Sequence, residues 1–181
     1  YNQIDYKSEL LLFGSCFSEN IYTKFDYFKF KAFQNPFGIL FHPKAIEKLI
    51  SNVFEKKIFT SEDVFELNER WHCFDAHSNL SNSNKEVLIN QLNSAITLTN
   101  QKLRTATHVI ITLGTAWIYR HIESQNMVAN CHKVPQNNFS KELLSVDEIS
   151  SSLENVICNL QKLNPKMNIV FTLSPVRHLK D

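Results

Sequence analysis

Glycine is scarce in this sequence: Gly14, Gly38 and Gly114 are the only 3 in 181 residues. Glycines this far apart cannot form a GxxxxGK loop or a GxGxxG turn, so the common phosphate-binding signatures are excluded. A G-x-S-x-G elbow is missing too, because no second glycine follows Gly14-Ser15-Cys16. There is no HExxH. Cysteine is sparse and scattered: Cys16, Cys73, Cys131 and Cys158 make no CxxC pair. Free thiols are therefore expected rather than a disulfide framework. An excess of one charge sign is also lacking. With 19 Lys and Arg against 18 Asp and Glu, the net charge of +1 leaves no electrostatic footprint for nucleic acid. Lys24, Lys29 and Lys31 alternate with Phe25, Phe28 and Phe30 in the manner of a stacking platform. Asp26 interrupts that run, and its phenylalanines fit an ordinary core. No apolar run approaches the ~20 residues needed to cross a bilayer. The longest lie near residues 10–13 and 109–113. No secretory leader pattern is present, so a cytoplasmic location is expected. There is no repeat, and residues 78–84 read as a solvated polar loop.

What the chain does have is a generous core, with 43% hydrophobic residues and 14 phenylalanines. Its length fits one domain spanning residues 1–181, burying about two-thirds of its unfolded surface. Three apolar runs end alike. Leu10-Leu11-Leu12-Phe13 meets Gly14, residues 108–113 meet Gly114-Thr115, and residues 168–173 meet Ser174-Pro175. Each is short, apolar and rich in branched side chains, which predicts a fully buried strand. Helical periodicity precedes the second and third. Residues 85–104 carry Val87, Leu88, Leu92, Ala95, Ile96 and Leu103 at offsets of three and four. Residues 146–163 follow a Ser145 or Asp147 cap and stop at Asn164-Pro165. A short helix over residues 43–53 starts on proline. Strand, helix, strand, helix, strand predicts an α/β protein with a parallel sheet covered on both faces. Few residues follow the third strand, so the natural chain is expected to continue past Asp181.

Ligands of such sheets bind outside the carboxyl ends of the strands. That rim carries Ser15 and Cys16, then Thr115 and Trp117, then Ser174, Arg177 and His178. Gly14-Ser15-Cys16 leads into a helix expected over residues 17–25, whose first amides favour an anion. Either Ser15 or Cys16 serves as a nucleophile once a histidine accepts its proton. The competing structural role is a helix cap for Ser15 and a buried filler for Cys16. His178 suits a base, and Arg177 suits a substrate carboxylate or phosphate. Elsewhere, Arg70-Trp71-His72-Cys73-Phe74-Asp75-Ala76-His77-Ser78 and Asn130-Cys131-His132 concentrate polar groups. They match no tight zinc motif, so they are expected to line a pocket or hold loops, with no metal. Residues 119–144 are long for a structureless connection and suggest a functional loop or lid.

These residues, in order, resemble the GSCFA family. Gly14-Ser15-Cys16-Phe17 carries its name motif, with Ser18 in place of alanine. The resemblance extends through Asn35-Pro36-Phe37-Gly38, Trp71-His72, His77-Ser78, Leu113-Gly114-Thr115-Ala116-Trp117, Asn130-Cys131-His132-Lys133-Val134-Pro135 and Ser174-Pro175-Val176-Arg177-His178. The family is similar to the SGNH, or GDSL-like, hydrolases, which implies a flavodoxin-like three-layer α/β/α sandwich that cleaves acyl esters. Laid without a gap, the Gly-Asp-Ser block puts Cys16 on the nucleophile and Ser15 on the aspartate; a one-residue slip restores Ser15. Gly38 corresponds to the second-block glycine and an oxyanion-hole amide. Gly114-Thr115-Ala116-Trp117 falls on the third block but has no asparagine, so Asn130 or another loop residue is expected to supply that donor, with His132 lining the same pocket. The Asp-x-x-His block is absent, since Pro175 stands three before His178. It is expected further downstream, which would leave His178 a pocket residue. The resemblance implies an acyl-ester hydrolase or acyltransferase without a cofactor, acting on a small acylated substrate such as a carbohydrate. The alternative is a non-catalytic carbohydrate- or metabolite-binding module on the same scaffold.

Overall fold

The computed structural model describes residues 2–175. The chain runs β1 (Glu9–Gly14), α1 (Cys16–Tyr27), β2 (Lys31–Gln34), α2 (Pro43–Glu55), β3 (Phe65–Leu67), β4 (Arg70–His72) and α3 (Lys85–Thr105). It continues through β5 (His108–Leu113), β6 (Trp117–His121), β7 (Met127–Val128), β8 (Phe139–Leu143), α4 (Val146–Leu163) and β9 (Asn168–Leu173). A four-stranded sheet in the order β2-β1-β5-β9 forms the centre, and every pairing in it is parallel. Numbered within the sheet, that order is second, first, third, fourth, which is consistent with a flavodoxin-like arrangement.

Alternation along β1 shows how the layers form. Leu11 and Phe13 join a cluster with Ile46, Leu49 and Ile50 of α2, Leu88 and Leu92 of α3, and Val156 and Leu160 of α4. Each such side chain contributes about 1.5–3 kcal/mol when fully buried. Leu10 and Leu12 point the other way and are equally buried. They lie beneath α1, which packs on β1, β2 and β5. Helices thus flank the sheet on both sides, and β1, closed on both faces, reads as a continuous apolar run.

Local signals set the helix ends. His42 caps α2 by accepting the Ala45 amide on its ring nitrogen, with Pro43 following in the first turn. Ser145 and Glu148 form a capping box at the start of α4, a device whose loss costs about 1 kcal/mol.

Three expectations need correction. β9 is not fully buried: Val170 is 39% and Leu173 77% exposed. Among the described residues β9 is the edge of the sheet. Residues 119–144, expected to form a functional loop or lid, hold secondary structure of their own. They contain β7 and β8, which pair with β6 in an antiparallel three-stranded sheet of order β7-β6-β8. Phe28 is not a core residue either, being 56% exposed at the end of α1. Phe25 and Phe30 do meet edge to face at 5.3 Å.

Candidate active site

The tip of β1 is fixed by a glycine that nothing else can replace. Gly14 has φ +125°, and a Cβ built there would lie 2.0 Å from the Thr112 carbonyl oxygen. The turn is pinned on both sides. The Ser15 amide donates to Thr112 O at 3.1 Å, the Gly14 amide donates to Asn35 Oδ1 at 2.9 Å, and Leu40 N donates to Gly14 O at 3.0 Å. This tip lies between β1 and β5, where the strand order reverses, the usual ligand position in open α/β sheets.

Ser15 occupies the N-cap position of α1 but forms no side-chain cap. It is 1% exposed, and its Oγ meets no hydrogen-bond partner. Gly114 explains the burial, since a Cβ built there would sit 3.2 Å from Ser15 Cβ and 3.1 Å from the Phe41 ring. Cys16 follows as the first residue of α1, half-buried and a free thiol. Ser18, one turn in, is the one fully buried residue of α1, and its Oγ is also unpartnered.

The structure brings Gly38, Gly114 and Thr115 around this tip, with their amides engaged. Gly38 N donates to Asn35 O at 2.8 Å, while Gly114 N and Thr115 N both donate to Phe41 O, at 2.7 and 3.1 Å. Gly38 has φ +73°, and a Cβ there would come within 2.4 Å of His77 Cβ. Thr115 Oγ1 accepts the Trp117 amide at 3.0 Å. Trp117 opens β6, with the Lys141 ammonium 4.5 Å from its ring centroid.

Asn130 and His132 are anchored elsewhere, on the segment after β4. Ala129 N and Asn130 N donate to Phe74 O, at 2.8 and 3.3 Å, and Asn130 Oδ1 accepts the His132 amide at 2.8 Å. His132 Nε2 donates to Cys73 O at 2.7 Å, and its ring centroid lies 4.9 Å from that of His72. Burial pushes His132 down to about 4, so it is neutral at physiological pH. Burial likewise pushes the Cys73 thiol up to about 12 and Cys131 up to about 11, which keeps both protonated and unreactive. Among the described residues no three His, Cys, Asp or Glu side chains converge to hold a metal ion. Arg177 and His178 lie outside the described residues.

Sequence reasoning missed Asn35, Phe41 and His77 as parts of this tip. Asn35 had a signal, since an asparagine before a proline, with glycine two further on, marks a special turn. Phe41 acts through its carbonyl oxygen, which no residue type announces.

A cleft of about 370 Å³ lies beside α2, lined by Phe37 and His42 and rimmed by the ion pairs Lys44–Glu47 and Lys48–Asp75. Phe37 and His42 belong to the same loop as Gly38 and Phe41, between β2 and α2.

The fold and the tip define an α/β protein with a parallel sheet and a Gly-Ser-Cys turn at the carboxyl end of its first strand. The GSCFA family model matches residues 9–181, and the chain belongs to the GSCFA family. No curated protein and no solved structure matches it. Among the described residues no helix is long and apolar enough to cross a membrane.

Proposed function

We propose that this protein is an acyl-ester hydrolase or acyltransferase of SGNH type, acting in the cytoplasm without a cofactor, with Cys16 as its nucleophile. The observation that carries the reading is the contrast between neighbours. Ser15 is 1% exposed with Gly114 close against its Cβ, so it is the less accessible nucleophile of the two. Cys16 is half-buried at the first turn of α1, and the uncapped amides there are donors for an oxyanion.

A general base takes the thiol proton, and Cys16 Sγ bonds to the ester carbonyl carbon as the π pair moves to oxygen. Collapse of the tetrahedral intermediate breaks the carbon–oxygen bond, and the departing alkoxide takes the proton back from the base. Water or an acceptor hydroxyl then attacks the thioester and frees the thiol. His178, or a histidine of an Asp-x-x-His block further downstream, is the base that the sequence suggests. A small acylated carbohydrate or similar metabolite is the substrate class, on family analogy.

A second reading, a non-catalytic binding module, draws support from the Gly38 and Gly114 amides, both of which already donate to carbonyls. Release of nitrophenolate from p-nitrophenyl acetate separates the two. The full-length protein is expected to give a burst that Cys16→Ala abolishes and Ser15→Ala retains. A burst lost only in Ser15→Ala moves the nucleophile by one residue. No burst from folded protein favours the binding module.

A further inference from the structure

Asn35 follows β2 in an unusual backbone state. Its φ is +34°, although a residue preceding proline is ordinarily extended. Three bonds hold it there: Asn35 N to Leu12 O at 2.9 Å, Gly38 N to Asn35 O at 2.8 Å, and Gly14 N to Asn35 Oδ1 at 2.9 Å. Backbone strain of this kind persists only where the surroundings over-determine it, and it clusters at functional sites.

The strain positions a carboxamide of fixed orientation. A backbone N–H can only donate, so Oδ1 must face Gly14 and Nδ2 keeps both its hydrogens for other partners. That Nδ2 is buried and meets no acceptor. A buried unsatisfied donor costs about 1–3 kcal/mol, and this one is held beside the residue that leads into Ser15 and Cys16. The Asn130 carboxamide, by contrast, has its oxygen on its own loop.

We propose that Asn35 Nδ2 is the side-chain hydrogen-bond donor to the oxyanion formed when Cys16 attacks an acyl ester. The inference rests on the reading of Cys16 as nucleophile. As the carbon–sulfur bond forms, the carbonyl π pair moves to oxygen and Nδ2–H donates to it, with no proton leaving the amide. For Nδ2 to reach the oxyanion, the side chains enclosing it must part as the acyl group enters. Once reached, the donor acts shielded from water, where such a bond is strongest.

The test compares acylation of Cys16 by p-nitrophenyl acetate with its alkylation by iodoacetamide, since only acylation passes through an oxyanion. Full-length wild type, Asn35→Asp and Asn35→Ala are followed from about pH 6 to 9, comparing limiting rates, with thermal midpoints recorded. Aspartate keeps an acceptor for the Gly14 amide and removes the donor, whereas alanine removes both. Limiting acylation is expected to fall about 100- to 1,000-fold in both variants, with limiting alkylation within about threefold of wild type. If Asn35→Asp does not fold, Asn35→Ala carries the same comparison. An Asn35→Asp variant that acylates at the wild-type rate overturns the proposal, and so does a parallel fall in both reactions. Wild type that is alkylated but never acylated at Cys16 refutes the nucleophile reading itself, and this inference with it.

Discussion

The β1 tip and the cluster around His132 both bury polar groups beside a thiol, yet the structure ties them down to different degrees. In the cluster each ring is held through at least one nitrogen: His132 Nε2 donates to Cys73 O, and His72 bonds Ser81 Oγ and Leu67 O, while His132 Nδ1 alone is buried without a partner. Burial keeps His132 neutral and the neighbouring thiols protonated. At the tip, Ser15 Oγ, Ser18 Oγ and Asn35 Nδ2 are buried without partners, and Cys16 stands half-exposed beside them. Reactive residue types therefore do not mark a site. What distinguishes the tip is that three unpartnered buried groups gather on one rigid turn, against one in the cluster, and each such group has a cost that calls for an explanation.

The sharpest way to break the tip is Gly14→Ala. Its Cβ would meet the Thr112 carbonyl oxygen, which cannot retreat without losing the Ser15 amide. A loss of about 4 kcal/mol or more is expected in denaturant unfolding, or failure to fold.

The cluster should break in acid. Folded His132 titrates at about 4 against an unfolded value of 6.5, so between these values the unfolded chain binds more protons. Its contribution is complete above pH 6.5 and is lost as the pH falls towards 4, on the order of 3 kcal/mol in all. His42, also lowered by burial, acts in the same direction. Thermal midpoints measured across that range should fall, and His132→Gln should flatten the slope.

Gly38→Ala probes the point where residues of the two regions meet, since its Cβ would press on His77 at φ +73°. A loss of about 2 kcal/mol is expected by the same unfolding assay. Cys16→Ala should change stability least, by under about 1 kcal/mol, because the side chain is half-exposed. Small stability loss with complete loss of acylation is the signature of a residue kept for chemistry.

The sequence reading located β5, β9 and α4 at their observed bounds, and α3 within a residue. Continuous branched-apolar runs and a helix-capping residue are local signals, so they survive without knowledge of the fold. β2, the β3–β4 hairpin and the β6–β8 sheet were illegible because they are short and mixed in polarity, and are defined by partners far along the chain. The site divides in the same way. Ser15 and Cys16 were visible from a strand that ends on glycine. The spent amides of Gly38 and Gly114 were not, because Asn35 and Phe41 accept them through main-chain oxygens.

The central claim, that the tip rather than the cluster holds the reactive thiol, is tested most directly by peptide mass. Full-length protein would be exposed to an activated acyl ester between about pH 6 and 8. The account predicts that the fastest acyl adduct forms on the peptide containing Cys16, ahead of the exposed Cys158, with Cys73 and Cys131 unmodified in the folded protein. An adduct on either of those thiols, or none on folded protein, would contradict it.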